Sequence, residues 1–462
     1  MTGDMSDTIA AISTALGPAG IGVIRVSGPD ALQICLRAFR TNSGLSPRNR
    51  VATLGRLVDS EDGSHIDEAI ITYMRGPHSY TREDVVEVSC HGGLAAVRSA
   101  LRSVINAGAR QARPGEFTLR AFLSGRIDLA QAEAVADAVR APTDLTLKAA
   151  EKQLRGELSK EVREVRNKCL DLLAQMEAEI DFTEDDVPPL PRPALHGQLC
   201  DIAGAIERSV EGASEGILLR HGLRLAIVGT PNVGKSSLLN ALLRTDRAIV
   251  TELPGTTRDV LEESLSLDGV PVVVVDTAGI RGTTDAAEAE GVERSKRALG
   301  EADLVLLVLD ASRPLSKPDE DVARLVRNSR RPALIVMNKD DLPSQVAATR
   351  AADLLPDAGI VHTCALEHRG VESLRRAIIH EIGAGSLTAG EIPLVSNERH
   401  REALIRAREH VRRSLEAVDD SLPSDFVSIG LHGALTELGL ITGEDATEDL
   451  LETIFSKFCI GK

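Results

Sequence analysis

The first 120 residues alternate short apolar runs with turns. The runs predict strands over Thr8–Ser13, Gly22–Val26, Val51–Val58, Ala69–Met74 and Val85–Ser89, and three- and four-residue spacing predicts helices over Ala31–Phe39 and Leu94–Ala107. Strands and helices so interleaved make an α+β domain. From about Leu119 to Glu215 the period becomes helical, with apolar positions three and four apart over Ala130–Val139 and Leu145–Ile180. Val187-Pro-Pro-Leu-Pro-Arg-Pro193 interrupts that pattern as a bend or loop. Strand and helix then alternate from Arg224 to Ile382, and the near-continuous apolar runs Leu223–Val228, Val270–Val275, Leu304–Leu309 and Ala333–Met337 predict strands of a mainly parallel sheet buried on both faces. Helical patterning resumes over Asn397–Val418. The predicted fold is multidomain, α/β and α: an α+β domain over 1–120, an all-α domain split between 121–216 and 385–462, and an α/β domain inserted over 217–384.

Composition narrows the function classes. A chain of 462 residues suits roughly three domains. It has no Trp and only two Tyr, too few aromatics for a platform that stacks single-stranded RNA. The net charge of −16 argues against a broad basic surface, so any RNA contact is local or shared with a partner. Six scattered Cys without a CxxC pair read as reduced thiols of a cytoplasmic protein. No run reaches the ~20 apolar residues of a membrane span, and no signal-peptide pattern opens the chain.

The chemistry is concentrated between residues 229 and 341. Gly229-Thr-Pro-Asn-Val-Gly-Lys-Ser236 lies between a predicted strand and a predicted helix over Ser237–Leu243. In that setting backbone N–H groups cradle phosphates, Lys235 reaches the β/γ oxygens and Ser236 ligates Mg²⁺. Such a loop alone leaves ATP and GTP open. Asn338-Lys339-Asp340-Asp341 closes the question, because the Asp341 carboxylate can accept from guanine N1–H and the N2 amino group, which adenine cannot match. Pro254–Asp259 (PGTTRD) and Asp276–Gly279 (DTAG) lie between the two motifs in the order of a GTP hydrolase. By contrast, Gly17-Pro-Ala-Gly-Ile-Gly22 reads as a tight turn, since a strand follows it.

Ile280 stands where many GTPases carry a water-orienting Gln, so hydrolysis draws on other groups or is very slow. Asn232 offers a side-chain oxygen near the β/γ bridge. It either holds a monovalent cation, an effect worth ~10³–10⁵ in rate if it replaces an arginine finger, or only stabilises the loop. Among Asp285, Glu288, Glu290 and Glu293, a carboxylate either orients water or is solvated surface, and charge alone does not choose. Thr257 is the natural partner of Mg²⁺ from the first switch, as a direct ligand or through a bound water.

GTPNVGKSSLLNAL, TELPGTTRD, DTAGIR, the ARPGEFTLRAFLSGRIDLAQAEA segment, the opening DTIAAIST…GVIRVSG and the terminal Phe458-Cys-Ile-Gly-Lys462 together resemble the MnmE (TrmE) family of tRNA-modification GTPases over the full length. The resemblance implies a homodimer with a folate-binding-like dimerisation domain over 1–120 and a K⁺-activated GTPase domain. It also implies an FAD-dependent MnmG-like partner, in a heterotetramer or larger complex that reaches tRNA and installs an aminomethyl-type or carboxymethylaminomethyl group at C5 of the wobble uridine. The one-carbon unit would come from a 5-formyl- or methylene-tetrahydrofolate.

Carried over by motif, GTP contacts fall on Asn232, Val233, Gly234, Lys235, Ser236 and Ser237, on Thr251, Glu252, Leu253, Pro254, Gly255, Thr256 and Thr257, and on Asp276, Thr277, Ala278 and Gly279. Further contacts fall on Asn338, Lys339, Asp340 and Asp341 and on the guanine cap Cys364, Ala365 and Leu366. Mg²⁺ falls on Ser236 and Thr257, and K⁺ on Asn232, Thr251, Leu253 and Thr256. Glu288 matches the family's catalytic glutamate and joins Lys235 as a catalytic candidate. Folate contacts fall on Arg25, Glu87, Arg126 and Lys462; without the family, Arg25 and Glu87 also read as a cross-strand pair. Three departures bear on the transfer: Arg126 where some members carry Lys, Cys364 where a Ser usually leads, and Ala287 for a larger apolar residue beside Glu288.

Cys459 has two readings, a nucleophile toward C6 of uridine or a small residue in a flexible tail. The arginines of Asn397–Leu415 either touch phosphates or form a salt-bridged solvated face. Two other functions compete with the leading one: a GTP-gated RNA- or ribosome-binding switch, and a folate-dependent one-carbon enzyme with a regulatory GTPase domain.

Overall fold

The structure is a computed structural model that describes residues 6–42, 44, 46–181, 190–245, 263–275, 296–384 and 392–462. Contacts divide the chain into two compact units, Met1–Ala136 with Gln153–Leu195 and Arg413–Lys462, and Asp137–Lys152 with His196–Arg412.

The first unit carries a seven-stranded sheet. Its strands are β1 (Ile9–Ile12), β2 (Gly22–Ser27), β3 (Phe39–Thr41), β4 (Ala52–Val58), β5 (His65–Met74), β6 (Val85–Cys90) and β7 (Arg110–Gln111), in the order β3-β4-β5-β6-β2-β1-β7. All pairings are antiparallel except β1 with β7. Alternation decides the faces. Ile24, Val26, Val86 and Val88 point into a core shared with helices Ala31–Ala38 and Leu94–Asn106, which contribute Ile34, Cys35, Val97 and Val104. The intervening positions Arg25 and Glu87 are register partners and fall on the opposite face. The Gly17–Gly22 segment leads into β2, not into a helix.

In the same unit, helix Glu157–Asp181 packs along Ser424–Thr442. The long pattern Leu145–Ile180 is not one helix. It divides into Asp144–Leu154 and Glu157–Asp181, with Gly156 at φ +78° between them, a left-handed conformation that ends a helix. Leu129, Ala132, Ile454, Phe455 and Phe458 form a second apolar cluster, with Leu119 and Phe122 against it.

The second unit is built on a six-stranded sheet with the order β13-β12-β11-β8-β10-β9. Its strands are β8 (Leu223–Val228), β9 (Glu263–Leu267), β10 (Val270–Val275), β11 (Leu304–Asp310), β12 (Ala333–Asn338) and β13 (Gly359–Thr363). Every pairing is parallel except β9 with β10. Leu304, Leu306 and Val308 enter the core on one face, and Val305, Leu307 and Leu309 enter the core on the other. Each such side chain taken from water stabilises the sheet by about 1.5–3 kcal/mol. That two-sided burial explains why these strands read as continuous apolar runs and not as alternating ones. In open sheets of this kind ligands bind beyond the carboxyl ends of the strands, near the strand at which the order reverses. Here that strand is β8, with β11 on one side and β10 on the other. Among the described residues, no helix is long and apolar enough to cross a membrane.

Candidate functional site

The segment Gly229–Ser236 leaves the carboxyl end of β8 and turns into the helix Lys235–Thr245. Two glycines make the turn possible. A Cβ on Gly229 would meet the Val308 carbonyl oxygen at 2.4 Å, and one on Gly234, at φ +100°, would meet Asn338 Nδ2 at 2.1 Å. Asn232 is held at φ +63°, a conformation rare for a residue with a side chain, and it is exposed on the loop. Lys235 Nζ donates to the carbonyls of Gly229 (2.8 Å) and Thr230 (2.9 Å), and burial lowers its pKa. Ser236 is exposed in the first turn of the helix.

The Asn338–Asp341 segment follows β12 and touches the loop directly. Asn338, 2% exposed, donates from Nδ2 to the Val233 carbonyl at 2.9 Å. Its Oδ1 accepts from Thr363 Oγ1 and from the Ala365 backbone N–H, each at 3.2 Å. One amide thus fastens the phosphate loop, the tetrad and the end of β13 to one another. Lys339 Nζ is 2.6 Å from Asp310 Oδ2 at the end of β11. Asp340 is exposed and faces His362 Nδ1 at 3.0 Å. Asp341 is exposed, and a bond from the Cys364 side chain holds its carboxyl below the usual range. Cys364 is buried and pairs through its backbone with Arg369, whereas Leu366 is 80% exposed. Asn232–Ser237, Asn338–Asp341 and Cys364–Leu366 therefore meet at the carboxyl ends of the strands. Thr251, Glu252, Leu253, Pro254, Gly255, Thr256, Thr257, Asp276, Thr277, Ala278, Gly279 and Glu288 lie outside the described residues.

A second constellation forms in the first unit. Arg25 Nη2 donates to Glu87 Oε1 at 2.8 Å and Nε donates to the same oxygen at 3.0 Å. The Arg25 guanidinium also lies 5.3 Å from the ring centre of Tyr80 and 5.9 Å from that of Phe117. The Arg126 guanidinium is 4.8 Å from the Tyr80 ring centre, and its Nη1 donates to the Tyr80 carbonyl at 2.8 Å. Lys462 joins them: burial, and next the nearby charge of Arg25, lowers its pKa. The tail that brings it is docked, not loose. Ser13 Oγ donates to the Gly461 carbonyl at 3.0 Å, and Gly461 takes φ +97° against Ile12. Phe458 is buried, while Cys459 is exposed and its carbonyl accepts from Lys462 N at 3.4 Å.

Tyr80, between two guanidiniums, escapes a motif reading. Its signal was rarity, since it is one of two tyrosines. The arginine-rich helix Glu398–Asp419 is laced with ion pairs, among them Arg401–Glu398 (2.8 Å), Arg408–Glu207 (2.6 Å) and Arg412–Glu409 (2.7 Å).

Residues 8–126 match the family described as the GTP-binding protein TrmE N-terminus, and residues 129–459 match the MnmE helical domain. The tRNA modification GTPase MnmE of Alkaliphilus metalliredigens is 46% identical over 99% of this chain and 100% of its own length. The protein of the same name from Chloroflexus aurantiacus is 50% identical over 99% and 100%, and that from Synechococcus elongatus is 48% identical over the full length of both. Matches of this extent, over both family segments and around a Gly229–Ser236 loop joined to the Asn338–Asp341 segment, mean that the chain belongs to the MnmE (TrmE) family of tRNA-modification GTPases.

Proposed function

We propose that the chain hydrolyses GTP in the service of tRNA modification at C5 of the wobble uridine, as a cytoplasmic homodimer working with an FAD-dependent MnmG-like partner. The observation that carries the GTP reading is the Asn338 bond to Val233, which fixes the base-reading and phosphate-reading segments to one another. In this reading Asp341 accepts from the guanine edge, Lys235 turns from the Gly229 and Thr230 carbonyls to the β/γ oxygens, and the N–H groups of Val233–Ser237 bind phosphate. The exposed hydroxyl of Ser236 fits Mg²⁺, completed by Thr257, and the exposed Asn232 oxygen fits K⁺ together with Thr251, Leu253 and Thr256. Both are hard cations that favour oxygen donors, and they would neutralise charge on the transferring phosphoryl group. Glu288 orients the attacking water.

The Arg25 constellation fits a folate. Arg126 and Lys462 supply cations for its glutamate carboxylates, Glu87 an acceptor for the amino-amide edge of its pterin, and Tyr80 an aromatic face. Bound there, a tetrahydrofolate derivative would supply a one-carbon unit. We assign the folate and dimer roles to 1–120, the GTPase role to 217–384, and the helical role, with its terminal Cys459, to 121–216 and 385–462.

The decisive experiment is mass spectrometry of tRNA nucleosides from cells lacking the chain, with and without the wild type restored. Loss and recovery of the C5-modified uridine is the expected result. An unchanged profile would remove the tRNA role and leave the GTPase reading standing.

A further inference from the structure

Asp319 and Arg313 belong to no nucleotide-binding motif, yet their side chains reach both ends of the GTP site. Asp319 is 2% exposed and caps the helix Lys317–Ser329 with Ser316. Its carboxylate accepts from Ser316 N (2.9 Å) and Oγ (2.6 Å) and from Arg313 Nη1 (3.0 Å) and Nη2 (3.1 Å). It also accepts from Thr230 Oγ1 at 2.6 Å. Thr230 is the second residue of the phosphate loop and is 7% exposed. Arg313 Nη2 reaches the same hydroxyl oxygen at 3.0 Å. On its other side Arg313 Nε lies 4.0 Å from Asp310 Oδ2, the oxygen that receives Lys339 Nζ at 2.6 Å. A continuous polar chain thus runs Thr230–Asp319–Arg313–Asp310–Lys339, from the phosphate loop to the guanine tetrad.

A helix cap requires only the Ser316–Asp319 pair. It does not require a buried carboxylate that also receives an arginine fork and a hydroxyl from another loop. Burying a charge is costly unless every acceptor site is matched, so an arrangement this complete fixes geometry. We propose that Asp319 and Arg313 are positioning residues: they clamp the entry to the phosphate loop through Thr230 and tie it to the guanine tetrad through Asp310. Nucleotide affinity then depends on side chains that never touch nucleotide, because a loop already held in place loses less freedom on binding. Burial pushes the Asp319 carboxyl upward, but the bonds from Ser316, Thr230 and Arg313 outweigh it and keep the carboxyl below its usual range, so the clamp is charged at neutral pH.

The test uses the full chain, titrated with fluorescent GTP and GDP analogues and assayed for steady-state hydrolysis. Thr230→Val removes one hydroxyl. It should raise the Kd for both nucleotides and the KM for GTP about tenfold, the loss expected of a hydrogen bond to a charged group. The kcat should stay within about twofold, since ground and transition states lose the same positioning. Thr230→Ser should restore wild-type values. Arg313 is partly exposed, so Arg313→Gln keeps the test valid if Thr230→Val does not fold. It should weaken both nucleotides by roughly three- to tenfold, and Arg313→Lys should not restore them because an ammonium lacks the two-pronged fork. Folded Thr230→Val or Arg313→Gln protein that binds GTP as the wild type does would overturn the proposal, as would a loss confined to kcat. The proposal rests on the GTP reading, and the two fail differently. A wild-type chain that ignores GTP defeats that reading, whereas variants that match a GTP-binding wild type defeat only the clamp.

Discussion

The GTP site and the Arg25 constellation are assembled in opposite ways. The proposed GTP site is made of loops that leave the carboxyl ends of β8, β12 and β13, parallel strands of one sheet. Each loop carries a contiguous motif, and the sheet itself brings the motifs together. The Arg25 constellation draws on Arg25 and Glu87 from two antiparallel strands, Tyr80 and Arg126 from loops, and Lys462 from a tail whose neighbour Gly461 bonds to Ser13 across 448 positions of sequence. A site at the carboxyl ends of strands survives small shifts of any one loop, because the strands hold the others. A site closed by a docked tail depends on that docking.

The largest effect is expected inside the GTP site. Glu288→Ala should lower hydrolysis roughly 10²–10⁴-fold, the range for a positioned acid–base group, with GTP affinity kept within severalfold. Near-normal phosphate release would remove Glu288 from its role. Replacing K⁺ with Na⁺ should also cost most of the rate, and indifference to the cation would release Asn232 from its own. Asp341→Asn comes next. On the proposed reading it removes two charge-assisted bonds to guanine and should weaken GTP roughly a hundredfold, while a xanthine nucleotide, which presents a carbonyl at C2, should bind better than to the wild type. Unaltered base preference in a competition titration would break the assignment.

The contrast sharpens at the tail. A Cβ on Gly461 would meet the Ile12 carbonyl oxygen at 2.1 Å, and its φ of +97° is already hostile to a side chain. Gly461→Ala should therefore undock the tail and weaken 5-formyl-tetrahydrofolate about tenfold, strain of this kind costing about 1–3 kcal/mol. GTP hydrolysis should be unchanged. Equal folate affinity by calorimetry would mean that Lys462 takes no part in the site.

The smallest effect is a pH dependence. Burial pushes the carboxyls of Asp7 and Glu116 upward, but bonds from Arg110 outweigh it, aided at Asp7 by Arg120 and at Glu116 by the Arg113 N–H. Both end below the usual range. With folded pKa values under the unfolded ones of ~3.9 and ~4.3, the network stabilises the fold fully above that range and loses its contribution as pH falls through it. Thermal melts between pH 7 and 3 should show this loss, and Glu116→Gln should flatten it. An unchanged acid slope in that variant would count against the network.

The sequence was most readable where structure is local. β8 and β10 coincide with runs seen in the sequence, because two-sided burial leaves apolar residues at every position but the half-buried Arg224 near the start of β8. The break at Gly156 leaves no mark in the apolar pattern, because helical periodicity continues on both sides of it, and the backbone angle shows that the helix ends. β7, two residues long, pairs with β1 and carries no pattern of its own. At the proposed GTP site the described motifs could be read as contiguous stretches, and the structure brings them together. The Thr230–Asp319–Arg313 clamp was not, although Ser316-x-x-Asp319 has the spacing of a capping box: a cap motif announces a helix start, not which loop lies against it.

By itself, then, the sequence determined the succession of α+β, helical and parallel α/β segments and the nucleotide these motifs select, since periodicity and contiguous motifs are properties of neighbouring residues. Tertiary structure alone decided that Asn338 ties the tetrad to the phosphate loop, that the tail folds back onto Ser13, and that Tyr80 lies between Arg25 and Arg126. Those contacts join residues far apart in the chain. They depend on register, on strand order and on left-handed turns, which the packing of the whole unit selects and no short stretch encodes.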